Sequence, residues 1–181
     1  FQDPASVGSC FRPRSRPFLS SVMPSDLKEA FPPVIGAQPV LLILGSMPSK
    51  RSLELGQYYG HPRNAFWPIM GALLGFDPAI DYERRCGALT HQGIALWDVI
   101  RRCRREGSLD ASIERDSIEA NDFGALLEQH PGIRCIAFNG AMAEQSFRRL
   151  VLPGLTLQLH QHPNPLEQLR LPSSSPAHAS L

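Results

Sequence analysis

A chain of 181 residues, 43% hydrophobic and 19% charged, has the balance of one ordinary globular domain. Its formal net charge of +1 lacks the basic excess with which many nucleic-acid binders announce themselves, so any such partner must be inferred from the distribution of charge rather than from its sum. The longest apolar runs, residues 40–44 and 93–97, are too short to cross a bilayer, and no secretory h-region opens the chain, which reads as soluble and intracellular. Cys10, Cys86, Cys103 and Cys135 are widely spaced, with no C-x-x-C pair, which argues against zinc, iron–sulfur and disulfide frameworks.

Residues 1–36 are rich in Pro, Ser and Arg without a sustained period and read as a flexible or surface-draped leader. The start, Phe1-Gln-Asp-Pro, lacks an initiator Met and is either processed or in part an expression remnant. The domain is expected over residues 37–181, with order beginning near Gln38. Residues 40–44 (Val-Leu-Leu-Ile-Leu) form a continuous apolar run ending in Gly-Ser-Met-Pro, which predicts a strand buried on both faces. Phe66, Ile69, Met70, Leu73 and Leu74 then recur near helical spacing, predicting a helix over 64–74 stopped by Gly75.

Residues 84 and 85 belong to a locally basic stretch between Lys50 and Arg105, and Arg84 and Arg85 by themselves read as a solvated helix face. Short apolar runs at 93–97 and 133–138 predict two more strands, and 141–150 a helix. Residues 155–159 and 166–171 compete to be the last strand. Strands alternating with helices imply an α/β fold, a three-layer α/β/α sandwich around a mainly parallel four-stranded sheet. Ligands of such sheets bind beyond the carboxyl ends of the strands, where the polar clusters after Leu44, Trp97 and Leu171 fall.

Gly45-Ser-Met-Pro by itself is a turn. It gains meaning from Tyr58-Tyr-Gly-His-Pro-Arg-Asn-Ala-Phe-Trp67, where aromatic rings, an amide and a stiff X-Pro backbone are concentrated in ten residues. Phe66 and Trp67 read most simply as core; Tyr58, Tyr59, His61 and Asn64 are harder to assign to packing. An aromatic face holds a planar heterocycle, and an amide orients a water without carrying charge, which together suggest a nucleobase site. The segment Leu171-Pro-Ser-Ser-Ser-Pro-Ala-His-Ala179 offers hydroxyl and backbone N–H groups suited to phosphate, or is a Ser/Pro tail.

Gly45-Ser-Met-Pro with His61-Pro-Arg-Asn-Ala-Phe-Trp67 resembles the first motif of the uracil-DNA glycosylase superfamily, and residues 171–179 resemble its second. Within that superfamily the two motifs look most like the hypoxanthine-DNA glycosylase branch, related to the mismatch-specific uracil and thymine enzymes. The resemblance implies a cofactor-free, metal-free, monomeric DNA glycosylase, cytoplasmic with the DNA or nuclear. Its substrate would be double- or single-stranded DNA carrying a deaminated base, with no membrane partner. Carried over by position, Tyr59 stacks on the flipped base and Asn64 is catalytic. Met47 stands where the mismatch-specific branch has its catalytic asparagine, and since Met orients no water, Asn64 is expected to take that task. Gly45, Ser46, Met47 and His61 would complete the base wall; Ser173, Ser174 and Ser175 would meet phosphate, with Ala177 and His178 near the gap left by the flipped nucleotide.

Hypoxanthine and uracil both present an N–H beside a carbonyl. Asp98, at the end of the 93–97 strand, is expected to accept that N–H or hold a water, although a helix cap or a pair with Arg101 fits its position equally. His61 reads either as an acid for the leaving base or as a loop tie, the latter favoured. Asn139, in Phe138-Asn-Gly140, reads as a turn former. A non-catalytic nucleic-acid-binding module is the competing class, and no phosphate-loop or dinucleotide glycine motif follows any candidate strand.

Overall fold

The computed structural model of the chain describes residues 27–107, 109, 112–155, 162–163 and 165–176. In chain order the elements are β1 (Leu27–Glu29), β2 (Leu41–Gly45), α1 (Lys50–Leu55), α2 (Phe66–Leu74), α3 (Tyr82–His91), β3 (Ile94–Asp98), β4 (Ile100–Arg104), β5 (Glu119–Ala120), α4 (Phe123–Gln129), β6 (Cys135–Asn139), α5 (Ala141–Leu150) and β7 (Glu167–Leu171). A four-stranded sheet of order β3-β2-β6-β7, every neighbouring pair parallel, is flanked by helices in the expected α/β/α manner. Leu42, Leu44, Leu96 and Ile136 are fully buried, which is why β2, β3 and β6 read as unbroken apolar runs rather than as alternations.

The chain enters this sheet at its centre on β2, moves outward to β3, and then crosses to β6 and β7 on the other side. The strand order therefore reverses between β2 and β6. Connections leaving the carboxyl ends of these two strands diverge, opening a crevice there. Gly45 and Asn139 end the two strands that flank it, and Asp98 ends β3 beside Gly45.

A second sheet, antiparallel and of order β1-β4-β5, has no counterpart in the expected architecture. Only Val99 separates β3 from β4, so one polypeptide run passes from the parallel sheet into the antiparallel one. The Val99 and Ile100 N–H groups donate to the carbonyls of Gly45 and Ser46 at 2.9 and 3.0 Å, fastening the first motif to this junction. Beneath it Met47, Ile100 and Cys103 form a small separate core.

The described structure reaches ten residues ahead of residue 37, into the segment expected to be a leader. β1 pairs with β4, the Val34 and Leu96 backbones exchange hydrogen bonds of 2.9 and 2.8 Å, and the Trp97 indole donates to the Phe31 carbonyl at 3.2 Å. These partners are 62 to 77 positions away in sequence, so no local period could reveal them. The predicted helix over 64–74 starts at Phe66, with Ala65 at the N-cap; Asn64 Oδ1 instead accepts from the Phe66 N–H in a turn just ahead of it. β7 settles the competition for the last strand in favour of 166–171; residues 152–155 are helical and 156–159 lie outside the described residues. Of the helices, α1 escaped the pattern, and α3 was foreshadowed only by the helix face read at Arg84 and Arg85. No helix among the described residues is long and apolar enough to cross a membrane.

Three arginines of the basic stretch are paired with glutamates. Arg51 pairs with Glu54 at 3.2 Å, Arg102 with Glu119 at 2.5 Å and Arg104 with Glu114 at 3.9 Å. Arg84 is exposed as expected, but Arg85 is not a solvated residue: its guanidinium lies 4.7 Å from the centre of the Trp67 ring.

Candidate active site

Gly45 is the reference point of the site. A methyl group added to it would come within 2.3 Å of Asp98 Oδ1 and 3.5 Å of the Tyr59 hydroxyl, so the missing side chain is what lets these two groups converge on the end of β2. Asp98 stands opposite Gly45 in the ladder, is only 3% exposed, and its backbone carbonyl accepts from Asn121 Nδ2 at 2.8 Å.

Tyr59 lies with its ring stacked on Phe66, centroids 3.9 Å apart and planes 18° from parallel. Its hydroxyl is buried without a hydrogen bond of ordinary geometry. Burial first and the Asp98 charge second push the phenol well above its usual pKa, and the nearby Asn139 amide pulls it back only in part. Tyr59 is also the only non-glycine residue with positive φ among the described residues, at 54°. Such a backbone costs a side-chain-bearing residue about 1–3 kcal/mol and persists only where its surroundings fix it.

Asn64 sits at the start of α2, half-buried. Its Oδ1 accepts from the Phe66 N–H at 2.9 Å and its own N–H donates to the His61 carbonyl at 2.8 Å, which orients the amide. His61 serves the loop: Nδ1 accepts from the Arg63 N–H at 3.2 Å, the tie preferred from its sequence context over a role as an acid. Met47, expected on the base wall, is 7% exposed and packed with Ile100 and Cys103, because the turn after Gly45 aims it into the second core. Ser46 contributes its carbonyl to the strand junction.

The second motif is hung from the end of β6. Asn139 donates through Nδ2 to Ser174 Oγ at 2.8 Å and accepts from the Ser174 N–H at 2.9 Å, a two-point tether that its reading as a turn former missed. Gly140, at φ 101°, donates to the Leu171 carbonyl at 3.1 Å, and any side chain there would strike Ser173 at 2.9 Å. Ser175 donates its N–H to Ser173 Oγ at 3.2 Å. The Ala65 N–H donates to the Ser174 carbonyl at 3.0 Å, so the two motifs, more than a hundred residues apart in sequence, touch beside Asn64. Ala177 and His178 lie outside the described residues.

A buried carboxylate, a half-buried aromatic ring and an oriented amide thus gather at the crevice of a parallel sheet, faced by a serine turn. The profile of the uracil DNA glycosylase superfamily matches residues 32–181, and the chain belongs to that superfamily. It is 42% identical over 114 residues to the hypoxanthine DNA glycosylase of Methanosarcina barkeri (strain Fusaro / DSM 804), covering 62% of this chain and 71% of the relative. Against the hypoxanthine DNA glycosylase of Methanosarcina acetivorans it is again 42% identical, over 118 residues, 65% of this chain and 73% of that one. A solution NMR structure from M. acetivorans, provisionally described as a uracil DNA glycosylase, superposes with a TM-score of 0.67 at 39% identity, covering 83% of this chain and 86% of that one. The protein is accordingly a DNA glycosylase and its substrate is DNA.

Proposed function

We propose that the enzyme releases hypoxanthine in preference to other deaminated bases, by hydrolysis and without a lyase step. The observation that carries the base class is the buried Asp98 carboxylate beside Gly45 and the Tyr59 hydroxyl. Deamination turns a ring nitrogen that accepts a hydrogen bond into an N–H that donates one. An ionised Asp98 accepts that N–H and repels the lone pair of unmodified adenine, while the Tyr59 O–H, or a backbone N–H near Ser46, has a carbonyl to donate to. The names of the two Methanosarcina relatives favour hypoxanthine over uracil.

In the proposed reaction the nucleotide leaves the stack and its base lies on the face of Tyr59 opposite Phe66. The C1′–N bond breaks with its electron pair passing to the base, and positive charge grows on the sugar, balanced by the DNA phosphates. A water held by the Asn64 amide adds its oxygen to C1′; one of its protons leaves to solvent and the departing base is protonated, giving an abasic site and free base. Ser173, Ser174 and Ser175 meet the phosphates. The one lysine of the two motifs, Lys50, is exposed on α1, which supports a monofunctional enzyme.

Abasic-site formation on duplexes containing deoxyinosine, deoxyuridine, deoxyxanthosine or a G·T mismatch tests this, with Asn64→Ala and Asp98→Ala in parallel. Deoxyinosine is expected to be cut fastest and Asn64→Ala to remove that activity. Faster cleavage of deoxyuridine would replace the base assignment and leave the chemistry standing.

A further inference from the structure

The mechanism above uses the Tyr59 ring but not what holds it in place. Tyr59 occupies the left-handed region of backbone space, flanked by Tyr58 and Gly60, and both neighbours are gripped by side chains from elsewhere. The Tyr58 N–H donates to the Tyr82 hydroxyl at 3.0 Å. The Tyr58 carbonyl accepts from the Trp67 indole at 2.9 Å. The Tyr58 hydroxyl reaches the Phe31 and Pro32 carbonyls at 3.2 Å, and the Gly60 N–H donates to the buried Ser52 hydroxyl at 3.1 Å. One side chain from each of α1, α2 and α3 thus fixes a peptide group next to the strained residue.

The clamp is itself braced. Tyr82 meets Trp67 edge to face, with centroids 5.8 Å apart and planes at 89°, and the Arg85 guanidinium lies against both rings, at 4.7 Å from Trp67 and 5.6 Å from Tyr82. None of these three side chains is placed at the reacting atoms, since each acts on the far side of Tyr58. Tyr82 Oη is an acceptor toward a backbone amide, a contact that a phenylalanine of identical shape would lose while keeping the ring packing.

We propose that Tyr82 and Trp67 are positioning residues for base excision: by holding the N–H and C=O of Tyr58 they force Tyr59 into its left-handed conformation and so set the plane on which the extruded base stacks. This inference rests on the glycosylase reaction and on Tyr59 as the stacking face. It assigns to α3, which carries neither motif, control over the geometry of the first motif. Its functional consequence is separable from fold stability. A slackened clamp lets Tyr59 relax toward negative φ, misplacing the ring only when a base must be held on it, so binding to undamaged duplex stays as it was while the excision step slows.

The test compares the parent with Tyr82→Phe and Trp67→Phe, measuring single-turnover base release from whichever lesion duplex the parent cuts, the dissociation constant for the same duplex without the lesion, and the thermal midpoint. Each variant is expected to slow release by about fivefold to tenfold, the weight of one neutral hydrogen bond, with undamaged-duplex affinity within about twofold of the parent. Release within about twofold of the parent in a folded Tyr82→Phe overturns the proposal. Should Tyr82→Phe fail to fold, Trp67→Phe decides by the same criterion; failure of both to fold also overturns it, because the clamp would then hold the fold rather than the ring. A parent that releases no base from any duplex overturns the reaction on which the inference rests, whereas a cutting parent matched by both variants removes the clamp alone.

Discussion

The two walls of the site are built on opposite principles. The wall contributed by the first motif is over-determined: Tyr58 alone is held by Tyr82, Trp67, Phe31 and Pro32, and Gly60 by Ser52. Among the described residues and their described contacts, the wall contributed by the second motif is tied by one amide, Asn139, and by backbone bonds from Gly140 and Ala65. A base must be held on a defined plane for its bond to break, which rewards rigidity in the first wall. A turn that follows a distorted phosphate backbone gains from latitude, which a single tether leaves.

Substitutions in the first wall should therefore cost rate, and those in the second should cost binding. The largest effect is expected for Asn64→Ala, which removes the amide proposed to orient water: single-turnover excision should fall by about 100-fold or more, with duplex affinity little changed. A binding loss of similar size would move Asn64 into the DNA-contact surface. Gly45→Ala comes next. Its methyl group would meet Asp98 Oδ1 at 2.3 Å, so the carboxylate must swing away; a destabilisation of about 1–3 kcal/mol by chemical denaturation and a marked loss of excision are both expected. Full activity in that variant would show that Asp98 reads nothing.

Asn139→Ala removes both bonds to Ser174 and should weaken lesion-duplex binding by about tenfold, leaving excision from the bound complex within about threefold of the parent. The reverse pattern would erase the contrast between the walls. The smallest effect is spectroscopic. All three tyrosines of the chain, Tyr58, Tyr59 and Tyr82, have pKa values raised chiefly by burial. Because the folded values lie above the unfolded value near 10, this contribution to stability is complete below pH 10 and is lost as pH rises above it. The phenolate absorbance of the native protein should stay flat through pH 10 and rise in one step with unfolding. A tyrosine that titrates freely near pH 10 would reveal a first wall looser than its contacts imply.

Much of this architecture was legible in the chain. The unbroken apolar runs at 40–44, 93–97 and 133–138 could be satisfied only by strands covered on both faces, and they became β2, β3 and β6. The motif at Asn64 declared itself through aromatic and amide residues that no core requires at such density. The antiparallel sheet did not declare itself, because β4 alternates Ile, Arg, Arg, Cys, Arg and reads as a charged surface until β1 and β5 are placed beside it. Met47 shows the same limit at one residue: its place in the motif suggested the base wall, while its direction was set by a core made from β4.

By itself, then, the sequence determined the parallel strands β2, β3 and β6 and the superfamily to which the two motifs belong, because hydrophobic period and motif composition are local properties of the chain. Only the tertiary structure decided that Asp98 fills the space of a side chain absent from Gly45, that Asn139 carries the second motif, and that Tyr82, Trp67 and Arg85 brace Tyr58. These contacts join residues from 9 to more than 50 positions apart, and such partners are chosen by how the sheet and its helices close around one core rather than by anything written in the neighbouring residues.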